Sequence, residues 1–316
     1  MLEIIRIQQA LERLRPLRFE TPCVRAPWLE EAANGPVFCK LENLQRTGSF
    51  KFRGAMNSLL QLDAQTLAKG IVTASAGNHG LGVAVAAHMR GCAAKIFVPE
   101  NIASAKKQKL QALGAELIIA GRDYDEAEAA AQSHAQAHAL PFIHAFDDEE
   151  VIAGQGTVGL EILAQLPSAG TVIVPVGGGG LLGGVSLAAK SLPSATKIYG
   201  VQSEASPAMH AALAQGRVVE TPIAETIADG LAGRFVTEKT LRLAQKYCDE
   251  MLLVREPNIR GAMRELYVRH GWRVEGSAAV GIAAILEGKV DAAGRECAVI
   301  ISGGNIAEEV FIEAIR

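Results

Sequence analysis

The residue best placed for covalent chemistry is a lysine between two aromatic rings. In residues 41–55, LENLQRTGSFKFRGA, Lys51 stands between Phe50 and Phe52. Rings on both sides can partly desolvate the ammonium and lower its pKa. The neutral amine that results can form a Schiff base with a carbonyl. The same spacing suits a surface lysine that snorkels past two core rings, and on spacing alone that plainer reading is the stronger. Three other segments offer backbone N–H groups at strand–helix junctions. Residues 75–80, SAGNHG, could hold an anion such as a carboxylate at a helix N-terminus, or form an ordinary turn with a serine cap. In VIVPVGGGGLLGG, Gly177, Gly178, Gly179 and Gly180 let the backbone close around a phosphate before a helix. Four glycines are entropically costly for a plain turn, so the phosphate reading outweighs it. The run lacks the GK[ST] of a Walker loop and the spacing and acidic residue of a dinucleotide fingerprint. Residues 302–305, SGGN, read as another glycine-rich turn and carry little by themselves.

The elements that position these residues alternate. From residue 70 the pattern predicts strands at 70–74, 94–99, 116–121 and 142–145, with helices at 80–90, 104–113 and 124–139. After an irregular stretch at 146–153, helices are expected at 156–166 and 181–191 and strands at 171–176 and 197–202. A last strand at 297–301 and a helix at 307–316 close the chain. Strands apolar on both faces between helices imply parallel sheets. Residues 1–18 form an amphipathic helix with interspersed charges, unlike a signal peptide.

Composition narrows the function. The chain has 316 residues, 49% apolar and 21% charged, with a net charge of −3 and no basic block, which argues against a nucleic-acid partner. No segment reaches membrane-spanning length. Cys23, Cys39, Cys92, Cys248 and Cys297 show neither a CxxC pair nor metal-ligand spacing, and read as reduced thiols of a cytoplasmic protein.

Taken in order, SFKFRGA, SAGNHG, VIAGQGT, GGGGL and SGGN resemble the fold-type II pyridoxal 5′-phosphate (PLP) enzymes, and within them the threonine/serine dehydratase and serine racemase group. The resemblance runs from residue 21 to residue 305. It implies an α/β fold of the tryptophan synthase β type with two domains, each an open, mostly parallel sheet flanked by helices. The large PLP-binding domain would comprise 1–66 and 148–316, and a small inserted domain 67–147. The length matches the catalytic portion of the family, so neither a C-terminal regulatory domain nor control by isoleucine is expected.

The resemblance also implies roles. Lys51 would carry PLP and later take the Cα proton. Phe50 would lie against the pyridine ring, and Asn78 would bond the ring's 3′-oxygen. Ser75, Ala76, Gly77, Asn78 and His79 would hold the substrate carboxylate. Gly177 to Gly180 and Leu181 would cradle the phosphate, Ser302 would face the pyridine nitrogen, and Glu275 would lie near the ring. A neutral Ser302 leaves less charge drawn into the ring than an acid would, which favours β-elimination. Ala76 replaces the serine that delivers a proton in serine racemase, which favours dehydration over racemisation. Gln202 stands where some members bind a divalent cation, and residues 203–209 hold only Glu204, so no strong Mg²⁺ or Ca²⁺ site is expected. A monovalent site built from carbonyls stays open.

The reading is thus a cytoplasmic, homodimeric PLP-dependent lyase of amino-acid catabolism that dehydrates L-threonine or L-serine. Its only partner is a small amino-acid substrate, with no nucleic acid and no membrane. Alternatives are a dehydratase of a bulkier β-hydroxy amino acid (phenylserine or an ectoine-derived compound, given the small Gly233), a serine racemase, and a non-catalytic metabolite-binding protein on the same scaffold.

Overall fold

The structure, a computed structural model, describes residues 2–17, 19–191 and 196–316. Nine strands follow in chain order among these residues: β1 (Cys23–Arg25), β2 (Val37–Leu41), β3 (Ile71–Ala74), β4 (Ala94–Val98), β5 (Glu116–Ile119), β6 (Ala169–Pro175), β7 (Lys197–Ser203), β8 (Glu250–Val254) and β9 (Glu296–Ile301). They form a six-stranded sheet in the order β1-β2-β9-β6-β7-β8 and a three-stranded sheet in the order β3-β4-β5. Every pairing is parallel except β1 with β2. All seven residues of β6 are buried, as a strand covered by helices on both faces requires.

The sequence reading differs from the structure at three places. The strand expected at 142–145 is a single bridge between Val72 and Phe142, because the chain leaves the sheet once Ile143 N–H has bonded to the Val72 carbonyl. The stretch expected to be irregular is mostly helix, since the Glu149–Gln165 helix begins well before residue 156. Asp148 caps it, accepting from the N–H groups of Glu150 and Val151, and two glutamates follow in the positive first turn. At the N-terminus the helix covers Ile4–Leu14, while residues 1 and 18 of the expected helix lie outside the described residues.

The glycines in that long helix serve close packing. A Cβ on Gly154 would stand 2.6 Å from the Cα of Gly54, in the Lys51–Leu60 helix. One on Gly184, in the Gly180–Lys190 helix, would stand 2.7 Å from the nitrogen of Gly156. Three helices therefore meet almost backbone to backbone. Beneath the helix that starts at Lys51 lies a buried ion cluster. Arg53 donates to both oxygens of Glu42 at 2.8 Å and to both of Glu161 at 2.6 and 2.8 Å, and Lys40 donates to Glu161 at 2.7 Å. Lys40, Glu42 and Arg53 are wholly buried. Each charge has an opposite neighbour, and removing one partner of such a set costs about 3–5 kcal/mol. The first turn of the Lys51–Leu60 helix is thereby fixed to β2 and to the Glu149–Gln165 helix.

Candidate active site

The carboxyl ends of the strands open toward one cleft of about 300 Å³. Its walls include every residue to which the resemblance gives a cofactor or substrate role: Phe50, Lys51, Ser75, Ala76, Gly77, Asn78, His79, Gly177, Gly178, Gly179, Gly180, Leu181, Glu275 and Ser302. A crevice beyond the carboxyl ends of parallel strands is where open α/β sheets bind ligands.

Lys51 is the first residue of its helix. Its Nζ donates to the carbonyl of Ala145 at 2.8 Å and lies 5.4 Å from the centre of the Phe50 ring. Burial lowers its pKa to about 8, and the neighbouring charge of Glu275 works in the opposite direction. Backbone links join this segment to the last motif, among them the Gly304 N–H donating to the Gly48 carbonyl at 2.9 Å. Phe50 N–H donates to the Ser302 carbonyl at 3.1 Å, and Ser49 bridges to Gly303. Ser302 is not a helix cap, because the next helix starts only at Glu308.

The 75–79 segment connects β3 to the Asn78–Arg90 helix, whose N-cap is Gly77 and which no side chain caps. The Ser75 hydroxyl accepts the Gly77 N–H at 3.1 Å instead. A Cβ on Gly77 would meet nothing within 4 Å, so packing does not demand a glycine there, and the space beside it belongs to the cleft. Asn78 donates from Nδ2 to Glu275 Oε1 at 2.8 Å, and its Oδ1 accepts from Asn305 Nδ2 at 2.8 Å. Burial raises the pKa of Glu275 to about 7, against the lowering effect of that Asn78 bond. His79 is buried and faces the core. Its Nε2 lies 3.0 Å from the Ile143 carbonyl, which can only accept, so Nε2 carries the proton. Burial depresses its pKa to about 3, so the ring stays neutral.

The glycine run is tightly constrained. Gly179 is the N-cap of the Gly180–Lys190 helix at φ +95°, a conformation that favours glycine. A Cβ on Gly178 would stand 2.4 Å from the Phe146 ring, and one on Gly180 would stand 2.9 Å from the Phe146 carbonyl oxygen. The run ends at an uncapped helix N-terminus that faces the cleft, the arrangement that attracts a phosphate.

Other wall residues escaped the sequence reading. Ser277 lines the cleft, is 2% exposed, and its hydroxyl has no protein partner. Lys106, Tyr124, Asp125 and Glu128 come from the side of the smaller sheet, and Asp229, Arg234 and Phe235 from the loop between β7 and β8. No periodic pattern marks these positions. The signal available was the small-residue stretch 229–233, DGLAG, of which 230–233 resembles the stretch that approaches the substrate side chain in the family. The five cysteines are free, and none of them lines the cleft.

A family model described as pyridoxal-phosphate dependent enzyme matches residues 14–303. The chain is 42% identical over 306 residues to an L-threonine ammonia-lyase of Thermotoga maritima, covering 97% of this chain and 76% of that protein. The structure is similar to that of the processed form of threonine deaminase isoform 2 from Solanum lycopersicum, with a TM-score of 0.89, 34% identity, and coverage of 98% of this chain and 92% of that one. It is also similar to maize serine racemase, with a TM-score of 0.93, 33% identity, and coverage of 99% and 97%. Matches of this extent, along almost the whole sequence, make the chain a member of the pyridoxal-phosphate dependent enzyme family.

Proposed function

We propose that the chain is a dehydratase (ammonia-lyase) that converts L-threonine or L-serine to 2-oxobutanoate or pyruvate and ammonia. The observation that carries this is the meeting, in one cleft, of a desolvated lysine, an uncapped helix N-terminus at 75–79 and the glycine run 177–180. Relatives named as threonine ammonia-lyases and a threonine deaminase point the same way.

The residues present fit pyridoxal phosphate. The glycine run offers backbone N–H groups and the positive end of a helix dipole to a phosphate. Lys51 has a carbonyl rather than a carboxylate as its hydrogen-bond partner, so its amine is not held in an ion pair. When bound, the cofactor supplies an aldehyde and a ring that takes up charge developing at Cα.

The chain's own groups then divide the work. The helix N-terminus at 75–79 binds the substrate carboxylate and orients the Cα–H bond toward Lys51. The Lys51 amine takes that proton, and a pKa near 8 suits a base working near neutrality. Asn78, held between Glu275 and Asn305, would present a fixed amide to the ring oxygen of the cofactor. Phe50 would cover the cofactor ring, Leu181 with the glycines would hold its phosphate, and Ser302 would offer the ring nitrogen a neutral hydroxyl. A neutral group there would draw less charge into the ring than a carboxylate, which would favour β-elimination. Ala76 has no proton to give, so return of a proton to the far face of Cα, which racemisation needs, has no donor at that position. We take the working unit to be a cytoplasmic homodimer, on the family resemblance.

The test is a 2-oxo acid assay with purified protein and L-threonine, L-serine and D-serine. Turnover of L-threonine or L-serine is expected, and Lys51→Ala should abolish both the visible absorption of the holoprotein and the product. Interconversion of serine enantiomers with no 2-oxo acid would refute the dehydratase reading.

A further inference from the structure

We propose that the cleft admits β-hydroxy amino acids with a neutral apolar or aromatic group on Cβ, and that Gly233 determines this range. The inference rests on the dehydratase reading and specifies its substrate class.

Gly233 differs from the phosphate-loop glycines in what demands it. Those have protein atoms where a Cβ would go, whereas a Cβ on Gly233 would meet only the Phe235 carbonyl oxygen, at 3.8 Å. Its φ lies outside the left-handed region. Neither packing nor backbone conformation requires a glycine, so the room beyond its Cα is open cleft. That opening is held in place. The buried Ser206 hydroxyl accepts the Gly233 N–H at 3.1 Å and lies 3.3 Å from the Gly233 carbonyl oxygen, to which it donates.

The surroundings determine what the opening can hold. The charges on this part of the wall already face one another. Lys106 pairs with Asp229 at 3.3 Å, and Arg234 with Asp123 at 3.2 Å and with Asp125, while Glu128 lies 2.9 Å from Nε2 of the His144 ring. The His144 ring is fixed for this, because Nδ1 accepts the N–H groups of Phe146 and Asp147, which leaves the proton on Nε2. An anionic substrate side chain would have to displace an aspartate from Lys106 or Arg234. An apolar side chain nearby is spare: Phe235 is 40% exposed and lines the cleft, while the Tyr124 hydroxyl is engaged with Glu128. An aromatic ring on the substrate would cover Phe235, a gain that the methyl of threonine forgoes.

The experiment compares L-threo-phenylserine, L-threonine and L-serine as substrates of the holoenzyme, read as 2-oxo acid. Phenylserine should be turned over with a kcat/KM within about tenfold of that for threonine. In Gly233→Val the ratio of kcat/KM for phenylserine to that for serine should fall at least about tenfold. Gly233→Ala, which adds only the Cβ that the structure leaves room for, should shift the ratio the same way by less. L-Phenylalanine has no β-hydroxyl and reports binding alone. Its inhibition constant should rise in Gly233→Val by about the same factor. A wild-type enzyme that consumes threonine but excludes phenylserine, or a ratio that neither variant moves, overturns the assignment of Gly233 and leaves the dehydratase reading intact. Absence of 2-oxo acid from all three substrates overturns both.

Discussion

An ammonium against the Phe50 ring, with one carbonyl for company, is poorly solvated, and its chemistry follows from that. At an ordinary lysine pKa near 10.4, only about one amine in a thousand is neutral at pH 7.5; at a pKa of about 8 about a quarter are. Burial causes the shift, so it belongs to the folded protein. The rate at which cofactor-stripped protein takes up pyridoxal phosphate should rise about tenfold per pH unit at low pH and level off above pH ~8.5. Stopped-flow absorbance across pH 6–10 measures it, and a midpoint above 10 would show that Lys51 is solvated. Glu275 contributes with the opposite sign, because its negative charge raises the lysine pKa. Glu275→Gln should therefore move the midpoint to lower pH, whereas a purely structural effect would change the plateau alone. At this scale the sequence was informative wherever a residue sat in a glycine-marked strand–helix junction, as Lys51, Asn78 and Ser302 nearly do. It was silent on Ser277, Arg234 and Phe235, whose place in the cleft depends on loops joining distant elements.

Elements test the packing argument with a change of sign. Alanine exceeds glycine in helix propensity by about 1 kcal/mol, so Gly→Ala stabilises a helix unless the new methyl lacks room. At Gly154 it lacks room: the neighbours at 2.6 and 2.7 Å are the Gly54 Cα and the Arg53 carbonyl oxygen, backbone atoms that cannot swing aside. Overpacking of this kind costs about 1–3 kcal/mol, more than the propensity gain. At Gly261, inside the exposed face of the Glu256–His270 helix, a Cβ would meet nothing within 4 Å. Urea unfolding should show Gly154→Ala less stable and Gly261→Ala more stable, the latter by about 0.5–1 kcal/mol. Equal effects at both positions would mean that the close approach of the helices contributes nothing. The same glycines explain why the helix start was misread. AGQG looks like a break because its glycines answer to Gly54 and Gly184, about 100 and 30 residues away in sequence, while the local start signal, Asp148 before two glutamates, was passed over. The β-α alternation was legible because buried parallel strands and their covering helices leave unlike apolar patterns. The Lys40–Glu42–Arg53–Glu161 cluster was not, since no local pattern tells a charge paired in the core from one on the surface.

Across the whole molecule, the cleft lies between the two sheets, and its mouth is crossed by charge pairs. If 67–147 is taken as the smaller lobe, Lys106, Asp123 and Asp125 stand on it, and Asp229 and Arg234 on the larger one. These groups are substantially exposed, with Arg234 at 40% and Asp229 at 66%, so each pair is weak and is screened by salt. Such pairs are too weak to hold the fold and strong enough to bias how the lobes close on a substrate. KM for the amino acid should therefore rise about two- to fivefold as salt goes from about 0.05 to about 0.5 M, where the screening length shrinks from about 13 to about 4 Å. Arg234→Gln should begin with the raised KM and respond less to salt, with a melting temperature close to that of the wild type. The pairing of effects is what discriminates. Were Arg234 merely a structural residue, the variant would lose stability and keep the salt response. Were the pairs idle, neither salt nor substitution would move KM.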